Sequence, residues 1–228
     1  MKSSKSLFSA MKPTTAQAGS ELFDTLPDQR PPETDRRDLD FYPTAQPEAI
    51  RALLSRDDAD IFNAGGVWEP AVGNGDLIRP ISEAFPELPI VGSDVVARNW
   101  PATIVKSFYS WDAAPQQAII CNPPFCEINA RDGHGRWLRH TLDLPGWTYC
   151  AYLLSWDWPA ARMNGLGQLL DENPFSYCYL MRWKLDFTGE GSPPQRNAWF
   201  VWNKNYRGAE PAFRFLDRND SRQSRLAI

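Results

Sequence analysis

Asn122-Pro123-Pro124-Phe125 is the stretch of this sequence whose residue types most directly suggest chemistry. A carboxamide beside an aromatic ring can accept hydrogen bonds from an amino group and stack on the planar ring that carries it. Such an amino group has its lone pair delocalised into the ring and is a poor nucleophile. A site acting on it needs no covalent nucleophile; it must hold the nitrogen and favour a pyramidal geometry, which positioning and fixed dipoles can do. The run Ala118-Ile119-Ile120-Cys121 just before reads as a short buried strand, and the two prolines end it. Amide and ring then project from the strand's carboxyl end, the edge at which open α/β sheets bind ligands.

A second motif lies upstream. Val67-Trp68-Glu69-Pro70-Ala71-Val72-Gly73-Asn74-Gly75-Asp76-Leu77 has the form of a strand, a glycine-rich turn and a helix. Gly73 and Gly75 allow a tight turn and close approach of backbone to a ligand. Pro89-Ile90-Val91-Gly92-Ser93-Asp94 is an apolar strand ending in a carboxylate, and Asp94 falls 19 positions after Gly75. An acid at about that spacing commonly takes ribose hydroxyls. The third glycine of the dinucleotide fingerprint is missing, which points to a nucleoside cofactor without a pyrophosphate. Each motif alone has a plainer reading: a Gly-x-Gly turn, proline punctuation of a loop, an Asp that caps a helix. Their order, at the ends of successive predicted strands, argues for a site.

With these residues in view, the chain resembles the class I S-adenosylmethionine-dependent amino methyltransferases, especially the small phage and prophage enzymes that act on adenine N6 in DNA. The resemblance runs from about Phe41 to Asn203. It implies a cofactor loop at Glu69, Pro70, Ala71, Gly73 and Gly75, and a ribose-binding acid at Asp94. It implies catalysis at Asn122, Pro123, Pro124 and Phe125. Phe41-Tyr42-Pro43-Thr44 resembles the segment that closes over the cofactor's methionine end, with Phe41, Tyr42 and Thr44 in contact. The acid that usually follows the third strand is not evident in Val105-Lys106-Ser107-Phe108-Tyr109, and Asp112 stands in for it. The implied fold is α/β, a Rossmann-like seven-stranded, mostly parallel sheet with helices on both faces and the last strand antiparallel. The implied partner is DNA presenting a flipped or single-stranded adenine. Guanine N2 or adenine N6 in RNA, and glutamine in a protein, offer the same kind of sp² nitrogen. Cytosine N4 fits less well, because Ser commonly replaces Asn there. A non-catalytic subunit that keeps the cofactor fold is the alternative from another class.

The elements that must position these groups can be read in order. Strands are predicted over residues 67–70, 89–94, 103–105, 118–121, 149–155, 175–182 and 198–203. Helical stretches fall between several of them, including residues 137–142. Thr44 is placed to cap a helix running through Pro47, with Ile50, Leu53 and Leu54 on its apolar face. A helix from about Asp76 contains Pro80 and should be short or bent. Residues 1–37 are polar and proline-rich and read as a flexible arm. Residues 38–216 form the methyltransferase-like domain and residues 217–228 a basic tail. The spacing leaves no room for a separate recognition domain, so little or short sequence specificity is expected.

The sequence has 228 residues, 43% of them apolar and 13% aromatic, which suits one sizeable core. No apolar run is long enough to span a bilayer, and the start lacks the apolar stretch of a signal peptide, so a cytoplasmic protein is expected; the resemblance implies a phage-encoded one acting in a host cytoplasm. The net charge of −4 argues against a protein that simply coats nucleic acid. Cations do cluster after the tetrapeptide, at Arg131, His134, Arg136, Arg139 and His140, where they should sit near the site mouth. Cys121, Cys126, Cys150 and Cys178 have neither metal-ligand spacing nor a preceding proline, and read as reduced, structural thiols. No metal is implied. Trp199 and Trp202 read as packed. Trp156-Asp157-Trp158-Pro159 leaves the fifth strand where a substrate cleft would lie, and residues 182–191 are placed to form a loop over it.

Overall fold

The two motifs come together because β1 (Val67–Glu69) and β4 (Ala118–Cys121) are neighbours in one parallel sheet. The computed structural model describes residues 41–218, apart from 132, 162, 188, 190, 192 and 194. The expected arm, residues 1–37, and all but the first two residues of the expected tail lie outside the described residues. The other strands are β2 (Ile90–Asp94), β3 (Ile104–Val105), β5 (Tyr149–Ser155), β6 (Tyr177–Met181), β7 (Asn197–Asn203) and β8 (Ala212–Leu216). Their order is β3-β2-β1-β4-β5-β7-β6-β8. After β1 the chain builds outward to β2 and β3. It then returns to β4 on the other side and continues the opposite way. That reversal opens a crevice at the carboxyl ends of β1 and β4, the usual ligand position in such sheets.

The expected α/β class holds, with one addition. β7 is the antiparallel strand, inserted between β5 and β6 as expected. The sheet nevertheless has eight strands rather than seven, because β8 pairs in parallel with β6 at the edge. β8 escapes a sequence reading because it does not alternate: Phe213 and Phe215 are both exposed, with Arg214 between them.

Side chains leave the sheet alternately to two apolar layers, the two-residue period of a strand. Val67, Ala118, Ile120, Tyr149 and Ala151 face one layer, together with Ile50, Leu53 and Ile61 of α1 (Glu48–Asn63) and Ile81 of α2 (Ile78–Ala84). Trp68, Ile119, Cys121, Cys150 and Tyr152 face the other. That layer includes Ile128 of α3 (Phe125–Ile128), Leu138 of α4 (Arg136–Asp143) and Leu166 of α5 (Leu166–Glu172). α2 is seven residues long with Pro80 in its first turn, where a missing amide costs little. Thr44 does not cap α1; the helix starts at Glu48 with no side-chain cap, and the threonine is used elsewhere. The four cysteines are free thiols, three of them buried. Among the described residues, no helix is long and apolar enough to cross a membrane.

α1 bends at Asp57, whose φ of −118° and ψ of 19° leave the helical region. Its carboxylate is buried and accepts hydrogen bonds from Tyr149 Oη at 2.8 Å and Tyr179 Oη at 2.6 Å. Burial outweighs both bonds and raises its pKa from 3.8 to about 6. A carboxyl raised on folding contributes stability that is full below pH 3.8 and is lost as the pH rises through about 6. A shift of this size corresponds to about 3 kcal/mol. Asp57→Asn cannot ionise, so its stability relative to the wild type is expected to improve by about 3 kcal/mol between pH 4 and pH 7. Urea denaturation at the two pH values measures this, and a pH-independent difference would exclude it.

Candidate active site

Asn122 stands at the carboxyl end of β4, and its amide is oriented by two contacts. Nδ2 donates to the Tyr42 carbonyl at 3.2 Å and to Thr44 Oγ1 at 3.1 Å. A carbonyl can only accept, so the nitrogen must face Tyr42, and Oδ1 is turned the other way. Oδ1 is buried and has no hydrogen-bond partner among the described residues. A buried amide oxygen without a donor is costly, and such groups in native proteins usually await a ligand or water. Thr44, read as a helix cap, therefore aims Asn122.

The residues 41–44 that supply these acceptors form a strap across the crevice. Tyr42 packs against Phe125 with ring centroids 5.4 Å apart. Phe41 lies under the guanidinium of Arg98, 3.9 Å from its ring centroid, a cation–π contact. The amide of Thr44 donates to the carboxylate of Asp76. The pocket beneath has a volume of about 70 Å³.

Three acidic side chains line the pocket: Glu69 at the end of β1, Asp76 after the glycine turn and Asp94 at the end of β2. Asp94 Oδ2 accepts from the Gly73 amide at 2.9 Å, which ties the glycine turn to β2. Asp94 Oδ1 accepts from the Val96 amide at 3.3 Å. Glu69 is 3% exposed and its Oε2 has no partner among the described residues. Burial raises its pKa well above 4.5, and the nearby Asp76 and Asp94 raise it further. Asp76 is raised by partial burial, against the opposing effects of Arg79 and the Thr44 amide.

The pocket is lined by most of the residues singled out in the sequence: Phe41, Tyr42, Thr44, Glu69, Ala71, Gly73, Asp94, Asn122, Pro123, Pro124 and Phe125. Three others do not reach it. Pro70 is buried behind the turn, and Gly75, at φ +80°, packs against Trp100; a Cβ there would lie 2.4 Å from Trp100 Cε3. Gly73, at φ +51°, lies close to Phe41: a Cβ there would lie 2.7 Å from Phe41 Cε2. Asp112 is exposed and takes no part in the lining. The segment before it is anchored by Phe108, buried and stacked on Trp137 at 4.0 Å, which leaves the following residues at the surface.

Asp76 and Arg98 also line the pocket, and neither was anticipated. The first followed directly from the Gly-x-Gly spacing and could have been read as a second acid. Arg98 carries no motif. The cations after the tetrapeptide lie outside the pocket lining. Arg136 is paired with Glu127, which also accepts from Tyr109 Oη at 2.6 Å. His140 Nε2 contacts the Phe108 carbonyl at 3.0 Å. Trp199 and Trp202 are packed, as expected. The loop after β6 brings Phe187 against Phe125 at 6.4 Å, in an edge-to-face arrangement. Among the described residues no cluster of potential metal ligands occurs.

No family model and no curated protein matches the sequence. Solved structures do match the fold. The methyltransferase subunit of a type I restriction-modification system from Streptococcus thermophilus aligns over 82% of this chain and 52% of its own, with TM-score 0.54 and 12% identity. A Listeria monocytogenes protein, provisionally assigned as a class I S-adenosylmethionine-dependent methyltransferase, aligns over 78% and 65%, with TM-score 0.53 and 9% identity. DrdV, seen in complex with DNA, aligns over 83% and 29%, with TM-score 0.55 and 11% identity. This chain thus spans less than two thirds of the length of each. The likeness is one of fold: a Rossmann-like, mostly parallel α/β sheet.

Proposed function

We propose that this chain transfers a methyl group from S-adenosylmethionine to the N6 amino group of adenine in DNA. The observation that carries the reading is Asn122 Oδ1, a buried acceptor without a partner, fixed beside a pocket that contains a buried, unpartnered Glu69 Oε2. The chemistry of the pocket fits the cofactor: carboxylates in a buried site favour a ligand that carries positive charge. S-adenosylmethionine, when bound, supplies an electrophilic methyl group on a positively charged sulfur. Glu69, Asp76 and Asp94 would hold its charged and hydroxyl groups, Gly73 would allow its close approach, and Phe41 with Tyr42 would cover it.

On the acceptor side, Asn122 Oδ1 takes one hydrogen of the amino group and the Pro123 carbonyl the other. Both draw the nitrogen's lone pair out of conjugation with the ring. Phe125 stacks on the base, with Phe187 and Tyr42 supporting that ring. These are effects of orientation and fixed dipoles, made without solvent reorganisation. A base in a duplex must leave the stack to reach Asn122, as in other enzymes that act on bases. The similarity in fold to a restriction-modification methyltransferase subunit and to a DNA-bound enzyme supports DNA as the acceptor. Little or short sequence specificity goes with this reading.

The test is nucleoside mass spectrometry after incubation with methyl-deuterated S-adenosylmethionine and unmethylated DNA. Labelled N6-methyladenine is the expected product. Cofactor binding with no label in any DNA base would overturn the DNA reading and direct attention to RNA or protein glutamine, which present the same kind of nitrogen.

A further inference from the structure

A continuous rim follows the tetrapeptide, and hydrogen bonds stitch it together. Trp158 Nε1 donates to the Ile128 carbonyl at 3.2 Å, which joins the β5 exit to the end of α3. Asn164 Nδ2 donates to the Ala130 carbonyl at 2.7 Å, and Arg139 Nη2 to the Asn164 carbonyl at 3.2 Å. The Trp156 amide donates to the Arg196 carbonyl at 3.1 Å, which adds the start of β7. The rim belongs to the same sheet edge as Asn122. Cys121 pairs with Tyr152, so Trp156 lies four residues beyond that pair, roughly 13 Å along the strand direction.

Its surface chemistry is distinctive. Trp156 is 52% exposed and Met163 is 58% exposed, although neither position is at a chain end. Arg131 and Arg196 are exposed and Arg139 half-buried. None of the three pairs with a carboxylate among the described residues, and the bonds of Arg139 and Arg196 go to backbone carbonyls. Those bonds orient the guanidinium groups without neutralising them. Arg136 is excluded, being paired with Glu127, and Asp157 is the exposed acid beside Trp156. A chain with a net charge of −4 thus presents, among its described residues, arginines without a carboxylate partner on the same rim as an exposed indole.

We infer that this rim holds an unpaired nucleic-acid strand beside the target base, with Trp156 stacking on a flanking base and Arg131, Arg139 and Arg196 facing its phosphates. The inference rests on the nucleic-acid reading of the catalytic pocket and adds where the strand lies and that it is single. Stacking on an exposed aromatic side chain tolerates any base, and arginines on phosphates read no sequence, so the rim binds with little sequence preference.

Fluorescence anisotropy with short fluorescein-labelled oligonucleotides tests it directly, using the full chain and the cofactor analogue sinefungin. Unpaired DNA, the same sequence as RNA, and the DNA duplex form the three arms. The unpaired strands are expected to bind more tightly than the duplex, and the DNA and RNA arms identify which strand is preferred. Trp156→Ala is expected to weaken binding about tenfold, with Trp156→Phe restoring most of it. Arg131→Gln with Arg196→Gln is expected to reduce the slope of log affinity against log salt by about 1.4, the loss of two phosphate contacts. Tighter duplex binding, or unchanged affinity in Trp156→Ala together with an unchanged salt slope, would overturn the inference. Because binding is read without turnover, the two readings fail separately. Rim-dependent binding with no methyl transfer would refute the methyltransferase reading alone, and methyl transfer that ignores the rim variants would refute the rim alone.

Discussion

Asn122→Ala is expected to lower turnover by about 10²–10³-fold, the loss typical of removing one preorganised polar group from a reacting centre. The expectation follows from the direction of the amide. Nδ2 is committed to Tyr42 and Thr44, leaving Oδ1 as the side chain's acceptor for an incoming amino group. Alanine removes that acceptor and also releases two contacts to the strap. The strap keeps its other attachments, the Thr44 amide to Asp76 and Phe41 beneath Arg98. Cofactor affinity should therefore fall by no more than about tenfold, the worth of one or two ordinary hydrogen bonds. Single-turnover kinetics and calorimetry separate the two effects. Near-normal turnover in a folded variant would remove Asn122 from the catalytic role. A collapse of cofactor affinity with intact turnover at saturation would make it a strap anchor only.

That prediction joins residues 78 positions apart in the chain, and this separation marks the boundary of what the sequence could disclose. β4 and β5 were legible to the residue because each is an uninterrupted apolar run bounded by turn-forming residues. The glycine turn and the tetrapeptide were legible because local backbone demands, positive φ at Gly73 and the end of a strand at Pro123, leave a local signature. Thr44 was misread for the same reason in reverse. A threonine ahead of an apolar period looks like a cap, and nothing nearby reveals that Asn122 will arrive at its hydroxyl. Asp112 was chosen from its place after the third strand, but burial of Phe108 decides where that segment runs, and it leaves the acid at the surface. β8 was missed because an edge strand can leave successive side chains in water, which erases the alternation that betrays a strand. Arg98 required knowledge of a loop conformation, since its partner Phe41 belongs to a segment more than fifty positions earlier. The general pattern is that single elements and turns were readable, while the contacts made across the crevice were not.

The strap and the acids together set how a cofactor would be admitted. A cation bound beneath the strap would set an opposite charge beside Glu69 and lower the cost of ionising it. The arrangement therefore favours a ligand that brings positive charge over a neutral one of the same shape, which is the difference between the methylated cofactor and its demethylated product.

Cofactor affinity is accordingly expected to strengthen as the pH rises, and to lose most of that dependence in Glu69→Gln. Burial, with Asp76 and Asp94 nearby, holds the Glu69 carboxyl protonated well above its ordinary 4.5. In the free protein this group carries stability that is full below pH 4.5 and is lost as the pH rises through its raised pKa. A bound cation favours the ionised form, so binding must expel the proton, and the work of expelling it falls with every unit of pH. Asp76 is raised in the same direction and adds to the effect, whereas Arg79 and the Thr44 amide hold it back. Calorimetry in buffers of different ionisation enthalpy would count the protons released, fewer for Glu69→Gln than for wild type. The neutral thioether S-adenosylhomocysteine should release fewer than S-adenosylmethionine. Equal proton release by the two ligands, together with a pH dependence undiminished in Glu69→Gln, would show that Glu69 does not respond to the cofactor's positive charge and would leave its burial to be explained by packing alone.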